Sequence, residues 1–242
     1  MADQPVSRIS QAYPDRVEVR GRDLTGDLMG RLTFTEYFHL LLTGQEPTEN
    51  QRFFLDLLLV SIAEHGMMPT NVAARMTLAA DPESLQGAVA AGILGAGPVV
   101  LGTAEKCAHL LAEAEAAGRS AEEVAREYRE RGTKVPGFGH PVHKVVDPRA
   151  ERILELAHEH GVDGAHVAFA RSLRDEVHPL PMNVSMPIAA VMLDLGFPAT
   201  AVKAVPILAR TAGLLAHLAE EGQEQIGFLL ARAAEEAVEY ER

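Results

Sequence analysis

The chain has 242 residues, 47% of them hydrophobic and 23% charged, and a formal net charge of −12. That balance excludes a disordered chain, and an acidic chain without a Lys/Arg block excludes a nucleic-acid-binding face. Its single cysteine, Cys107, excludes an intrachain disulfide framework and a cysteine-rich zinc site, and a buried thiol is the expectation. Anionic substrates would need a local positive pocket built from a few well-placed Arg and His side chains.

From the N-terminus, residues 1–16 are polar and show no apolar signal region. Strand-like alternation is nearly absent after Val17-Glu18-Val19-Arg20, and helical periodicity dominates from there on. Thr48 and Gln51 form a capping-box pattern ahead of an apolar run that ends near His65. Asp81-Pro82 then opens a Gly/Ala-rich segment, 87–97. Its small residues let another helix backbone come close, which offsets the poor helix propensity of glycine, so a central or interface helix is expected. The apolar run 87–101 is too short to span a membrane, so no membrane contact and a cytoplasmic location are expected. Ser120 with Glu123 is a second capping box and starts a charged helix that ends near Arg131-Gly132. Asp147 as N-cap and Pro148 at the first helical position start a helix that Gly161 terminates. Further helices are predicted over 165–177, 184–195, 199–220 and 223–240.

The Gly/Pro loop between those helices carries the most chemistry. It places His140 shortly before a helix whose first turn holds Arg149. A helix N-terminus favours an anion, arginine grips carboxylates with two parallel bonds, and histidine polarises a carbonyl or moves a proton near neutral pH. A turn histidine beside a solvated arginine fits the same residues. His143 makes a His-x-x-His pattern with His140, but no acidic third ligand stands near it, so no metal is expected. A proton donor or substrate contact fits His143 better. His158 and His160 read as solvated, and His39, His109, His166 and His217 as packing or surface residues. His178, before the loop 179–183, is a candidate to face a cleft.

Gly137-Phe138-Gly139-His140 followed by Asp147-Pro148-Arg149 resembles the signature of the citrate synthase superfamily, in the short form seen in citryl-CoA lyases. Other stretches resemble that family in the same order: Arg20–Leu24, Phe38–Gly44 with Pro47-Thr48, Glu64-His65, Gly97-Pro98, Asn183-Val184 and Ala209–Gly213. The resemblance implies an all-α, citrate-synthase-like fold with a large lobe from residues 1–101 and 196–242 and a small lobe from 102–195. It implies a homodimer with a CoA thioester and an oxaloacetate-like keto acid or dicarboxylate as substrates. His140 would be the catalytic histidine on the keto oxygen. His65, Arg149 and Arg210 would bind the acid, and Lys134, Val135, Pro136, Gly137, Phe138 and Gly139 would contact CoA.

The departures from the family pattern fall on one half of the chemistry. Where the family has His after Gly-Pro-Leu, this chain reads Gly97-Pro98-Val99-Val100, and where it has Asn-Val-Asp, this chain reads Asn183-Val184-Ser185. The first family residue stabilises the thioester enolate and the second removes the α-proton. Valine has no polar group for the one task, and serine of ordinary acidity is a poor base for the other. The family's late Arg-Pro-Arg-like segment and much of the N-terminal region of full citrate synthases have no counterpart in these residues. An enzyme acting on a C–C bond beside a CoA thioester is expected, with a binding protein that has lost the acetyl-activating residues as the alternative.

Overall fold

A computed structural model describes residues 5–241; residues 1–4 and Arg242, the ends of the expected large lobe, lie outside the described residues. The fold is all-α apart from one small sheet. The described chain divides after Leu57 into two compact units.

In the first unit, strands β1 (Ser10–Ala12), β2 (Val17–Val19) and β3 (Arg22–Asp23) form an antiparallel sheet in that order. The Val17-Glu18-Val19 alternation puts Val19 into a small core with Leu28 and Leu40. Arg20 and Gly21 both take positive φ, 51° and 76°, which makes the tight turn between β2 and β3. Helix α1 (Phe34–Thr43) starts from a full capping box between Thr33 and Glu36 and stops at Gly44 in the left-handed conformation.

Helix α2 (Glu49–Ala63) starts from the expected Thr48–Gln51 box. The second unit continues with α3 (Pro69–Ala80), α4 (Leu85–Leu94), α5 (Thr103–Ala116), α6 (Ala121–Glu130), α7 (Pro148–Glu159), α8 (Ala165–Val177), α9 (Ser185–Asp194), α10 (Ala204–Glu221) and α11 (Gly227–Glu236). Every residue of α9 from Met186 to Met192 is buried, and α5, α7 and α8 pack around it; a helix apolar on all sides belongs in a core. A second core joins Ala74 and Leu78 of α3, Ala88 of α4, and Leu214 and Leu218 of α10. The small residues of α4 serve this core. A Cβ at Gly92 would lie 2.8 Å from Leu214 and 3.0 Å from the Thr70 carbonyl, so the close approach is made within the chain.

Two predicted helices are shorter than their periodicity. The segment 199–220 opens with a 3-10 turn, Ala199–Ala201, before α10 begins. Pro206 has no N–H to donate and is tolerated only in a first turn, so α10 starts two residues ahead of it. The segment 223–240 is helical only over Gly227–Glu236. Gly227 lies against α3, where a Cβ would meet Ala79 at 2.5 Å, and its N–H donates to Glu221. At the far end Glu235, Glu236 and Glu239 oppose the helix dipole.

Candidate active site

The loop 134–140 is fixed by its neighbours rather than left slack. Gly137 and Gly139 take φ of 83° and 81°, which side chains resist. A Cβ on Gly137 would lie 2.8 Å from Met186 Cβ and 2.9 Å from Cys107 Sγ, so the loop rests directly on α9 and α5. Burial pushes the Cys107 thiol well above its ordinary range, which makes it an inert packing group. The 181–183 segment pins the loop from the other side. Gly139 N–H donates to the Pro181 carbonyl at 2.7 Å, Asn183 N–H to the Gly137 carbonyl at 2.8 Å, and the Asn183 side chain to the Gly139 carbonyl at 2.9 Å.

At the end of this loop the His140 ring is held by the backbone. Its Nδ1 accepts the N–H groups of Val142 and His143, at 3.1 and 3.0 Å. Nδ1 therefore presents a lone pair and the proton of the neutral ring sits on Nε2, a hydrogen-bond donor. His65 comes in from the end of α2, with its ring centroid 5.3 Å from that of His140 and 5.7 Å from that of His143. Burial first, then the neighbouring charges of Arg149 and His143, hold His65 below the ordinary histidine range; burial and His143 do the same to His140. One ligand nitrogen from each of the three histidines falls within 4.8 Å of the others, so a third metal-capable partner for the His-x-x-His pair exists. His65 is remote in sequence, so no local spacing links it to that pair. With its Nδ1 engaged and its Nε2 protonated, however, His140 offers a metal no lone pair in this arrangement.

The two arginines are placed in opposite ways. Arg149 gives Nε and Nη2 to the two oxygens of Asp147, at 3.0 and 2.8 Å. Asp147 is fully buried and also accepts the N–H groups of Arg149 and Val184. Burial alone would raise the Asp147 carboxyl, but the bonds and charge of Arg149 outweigh it and hold the group below the carboxylate range. The anion at this helix N-terminus is thus the chain's own, and Arg149 keeps Nη1 for anything further. Arg210, only 2% exposed, makes two long bonds, Nη1 to Asn71 Oδ1 at 3.3 Å and Nη2 to the Ile62 carbonyl at 3.4 Å. Its Nε has no hydrogen-bond partner. Burial, with the charge of Arg149, holds Arg210 below the ordinary arginine value, while Glu64 opposes the shift.

His65, His140, Arg149 and Arg210 all line one cavity of about 530 Å³, together with the whole loop 134–139. Its remaining wall is mostly apolar, with Ile62, Met68, Val99, Val100 and Leu101, and Ser185 at the start of α9. His143 lines an adjoining cavity with Lys134, Lys144 and the 179–181 segment. His178 does not reach the main cavity; it lines a third one with Glu151 and Arg174. The site therefore combines cations and hydrogen-bond donors with a mostly apolar remainder, in which Thr103, Lys106 and Asn183 are the further polar groups. The sequence family described as citrate synthase, C-terminal domain, matches residues 7–232, nearly the whole chain.

The chain belongs to the citrate synthase family. It is similar in structure to the citryl-CoA lyase of Hydrogenobacter thermophilus, with a TM-score of 0.83 and 33% identity, over 89% of this chain and 86% of that one. It is 32% identical over 199 residues to putative citrate synthase 2 of Mycobacterium tuberculosis, covering 78% of this chain and 52% of the relative. A mutant ATP citrate lyase of Methanosaeta concilii in complex with (3S)-citryl-CoA shares the fold, with a TM-score of 0.84 at 20% identity over all of this chain and 42% of that one. The chain spans about half the length of the curated citrate synthases it matches. Val100 and Ser185, the two departures noted in the sequence, both line the cavity. Four residues beside the cavity, Glu64, Asn71, Arg75 and His217, form a network the sequence reading did not find. Its only local signals are the four-residue spacing of Asn71 and Arg75 and the shared face of Arg210, His217 and Glu221.

Proposed function

We propose that this protein makes or cleaves a carbon–carbon bond between a CoA thioester and an oxaloacetate-like keto acid, a citryl-CoA-lyase-like reaction. The observation that carries this is Arg210: a buried guanidinium on the cavity wall with an unpartnered Nε and, among the described residues, no carboxylate bonded to it. A buried charge left in that state calls for an anionic ligand. Arg149 Nη1 would take a second carboxylate. The Nε2–H of His140 would donate to the oxygen that is a hydroxyl in the joined substrate and a carbonyl in the cleaved one. The loop 134–139 would contact CoA through its backbone, and closure of a lobe of residues 102–195 would expel water from the site.

Val100 and Ser185 direct the reaction away from acetyl activation. A general base contributes about 10²–10⁴-fold and an oxyanion donor about 10²–10³-fold, and neither residue replaces the group the family pattern has there. Little citrate should form from acetyl-CoA and oxaloacetate, and an acyl-CoA other than acetyl-CoA fits the apolar wall. The same two residues favour a second reading, a protein that binds CoA esters and dicarboxylates without turning them over. Calorimetric titration with both ligand classes, paired with a citryl-CoA cleavage assay, separates the readings. Binding with turnover supports the first, binding without turnover the second, and no binding of either ligand removes both. A Val100→His, Ser185→Asp double variant should gain condensing activity; robust citrate synthesis by the unaltered protein would contradict the roles given to those positions.

A further inference from the structure

Beside the cavity a chain of polar side chains runs from a buried ion pair to Arg210. Arg75 of α3 is fully buried and donates from Nη1 to Glu221 at 2.9 Å and from Nη2 to Glu220. Glu221 is held in turn by the N–H of Gly227 at 2.7 Å. The third face of the guanidinium, Nε, donates to Nδ1 of His217 at 3.0 Å. Guanidinium nitrogens only donate, so His217 must accept at Nδ1 and carry its proton on Nε2. Nε2 lies 2.9 Å from Glu64 Oε2, an acceptor that matches this proton. The side-chain nitrogen of Asn71, 2.8 Å from the same Nε2, is an N···N contact, because its hydrogens go to the Gly66 carbonyl at 2.6 Å and Glu64 Oε1 at 3.1 Å.

Both oxygens of Glu64 are bonded, although its side chain is 46% exposed. Its Oε1 also accepts the N–H groups of His65 and Gly66, both at 2.7 Å, which fixes the turn that presents His65 to the cavity. Burial raises the Glu64 carboxyl, but the bonds from His217, His65 and Gly66 outweigh it and keep the group ionised. Gly213 lets α10 approach this turn so closely that a Cβ would fall 2.2 Å from the Ala63 carbonyl and 3.1 Å from Glu64 Oε2. Glu64 is also the one carboxylate whose charge acts on Arg210 in the described structure, yet no hydrogen bond joins the two. Arg210 is left instead with the neutral acceptors Asn71 and Ile62.

We propose that His217 is a positioning residue that holds Glu64 away from Arg210, so that the buried guanidinium stays available for the carboxylate of a ligand. The imidazole works as a one-way spacer: Arg75 fixes which nitrogen bears the proton, and that proton ties down Glu64. Without it, Glu64 Oε2 would lose its protein partner, and its charge, which already acts on Arg210, would be available to that guanidinium. An internal ion pair would then compete with the ligand. This inference rests on the anion-binding reading of the cavity made above.

The test uses the full chain with oxaloacetate as the calorimetric probe, after each variant is shown to fold by circular dichroism and thermal melting. His217→Leu should weaken oxaloacetate binding by about tenfold or more, the scale of one charge-assisted hydrogen bond. His217→Gln, which keeps an acceptor for Arg75 and a donor for Glu64, should bind nearly as the unaltered protein does. The decisive variant is His217→Leu combined with Glu64→Gln: removing the competing charge should restore most of the lost affinity. A residue that merely packs would leave the double variant as weak as the single one, and that result overturns the proposal, as does unchanged binding by His217→Leu. Histidine ¹⁵N shifts test it without ligand. A His217 ring protonated on Nδ1 overturns the proposal on its own. Failure of the unaltered protein to bind oxaloacetate overturns the anion-binding reading instead, and this inference with it.

Discussion

Arg149 and Arg210 solve the same desolvation problem differently, and the difference is measurable. Arg149 neutralises buried Asp147 through two parallel bonds, so Arg149→Met strands a carboxylate and should lower stability by about 2–4 kcal/mol. Arg210 bonds to no carboxylate, so Arg210→Met removes a poorly satisfied donor. It should leave the melting temperature unchanged or higher while weakening dicarboxylate binding about 10–100-fold, the worth of charge-assisted bonds. Equal loss of stability in the two variants would contradict this division. The histidines add a pH dependence. The folded state holds His65 and His140 below the ordinary range, so the unfolded chain, titrating near 6.5, binds more protons as pH falls through that value. Stability contributed by the neutral rings is therefore present above pH ~6.5 and is lost as pH falls below it. Glu64 and Asp147, both depressed, act in a separate, more acidic window with the same sign. A bound carboxylate favours protonation of a neighbouring imidazole, and because His140 Nδ1 accepts two backbone N–H groups the proton would go to His65. Calorimetry near pH 6 in buffers of different ionisation enthalpy should report proton uptake on binding, and none would place the ligand away from His65.

Helix ends show which elements can be read locally. Helix α8 starts at Gly164, which has no side chain to cap it. The cap comes from Asp194 at the end of α9, which accepts the N–H groups of His166 and Val167 at 3.0 and 2.9 Å and also binds the His166 ring. Gly164→Ala would put a Cβ 2.4 Å from the Asp194 carboxyl carbon. Asp194→Ala should cost about 1–2 kcal/mol, as for other N-cap losses, read by urea denaturation. Gly164→Ala should destabilise too, although alanine is the better helix former. Capping boxes at Thr48 and Ser120 and the Asp147-Pro148 start were legible because both partners lie within one turn of chain. The Thr33–Glu36 box carried the same signal. The Asp194 cap, the Gly92–Leu214 contact and the path from Arg75 to Arg210 were not legible, because each joins residues brought together only by helix packing. For the cavity itself, the motif around His140 and Arg149 was readable, but not that Asp147 already occupies Arg149, nor that His65 completes a histidine cluster.

At the scale of the whole molecule, Ala88 and Gly92 of α4 are used within the chain, while Ala90 and Leu94 of the same helix are exposed. Leu94 of α4 is 86% exposed, and Phe228 and Leu229 of α11 are 68% and 58% exposed. Single exposed apolar residues are ordinary on a monomer, whereas a stable homodimer must bury roughly 800 Å² on each partner with an apolar centre. If the proposed homodimer forms through α4 and α11, sedimentation at micromolar concentration should give about twice the 26.1 kDa chain mass. Charges at those positions cost little on a free surface and a great deal in a dry interface, where each would lack a partner. Leu94→Glu with Phe228→Glu should therefore convert the dimer to a monomer that keeps its helical circular dichroism. A dimer that survives both charges would move the interface to another face, and a monomeric unaltered protein would remove the dimer from the reading of this chain.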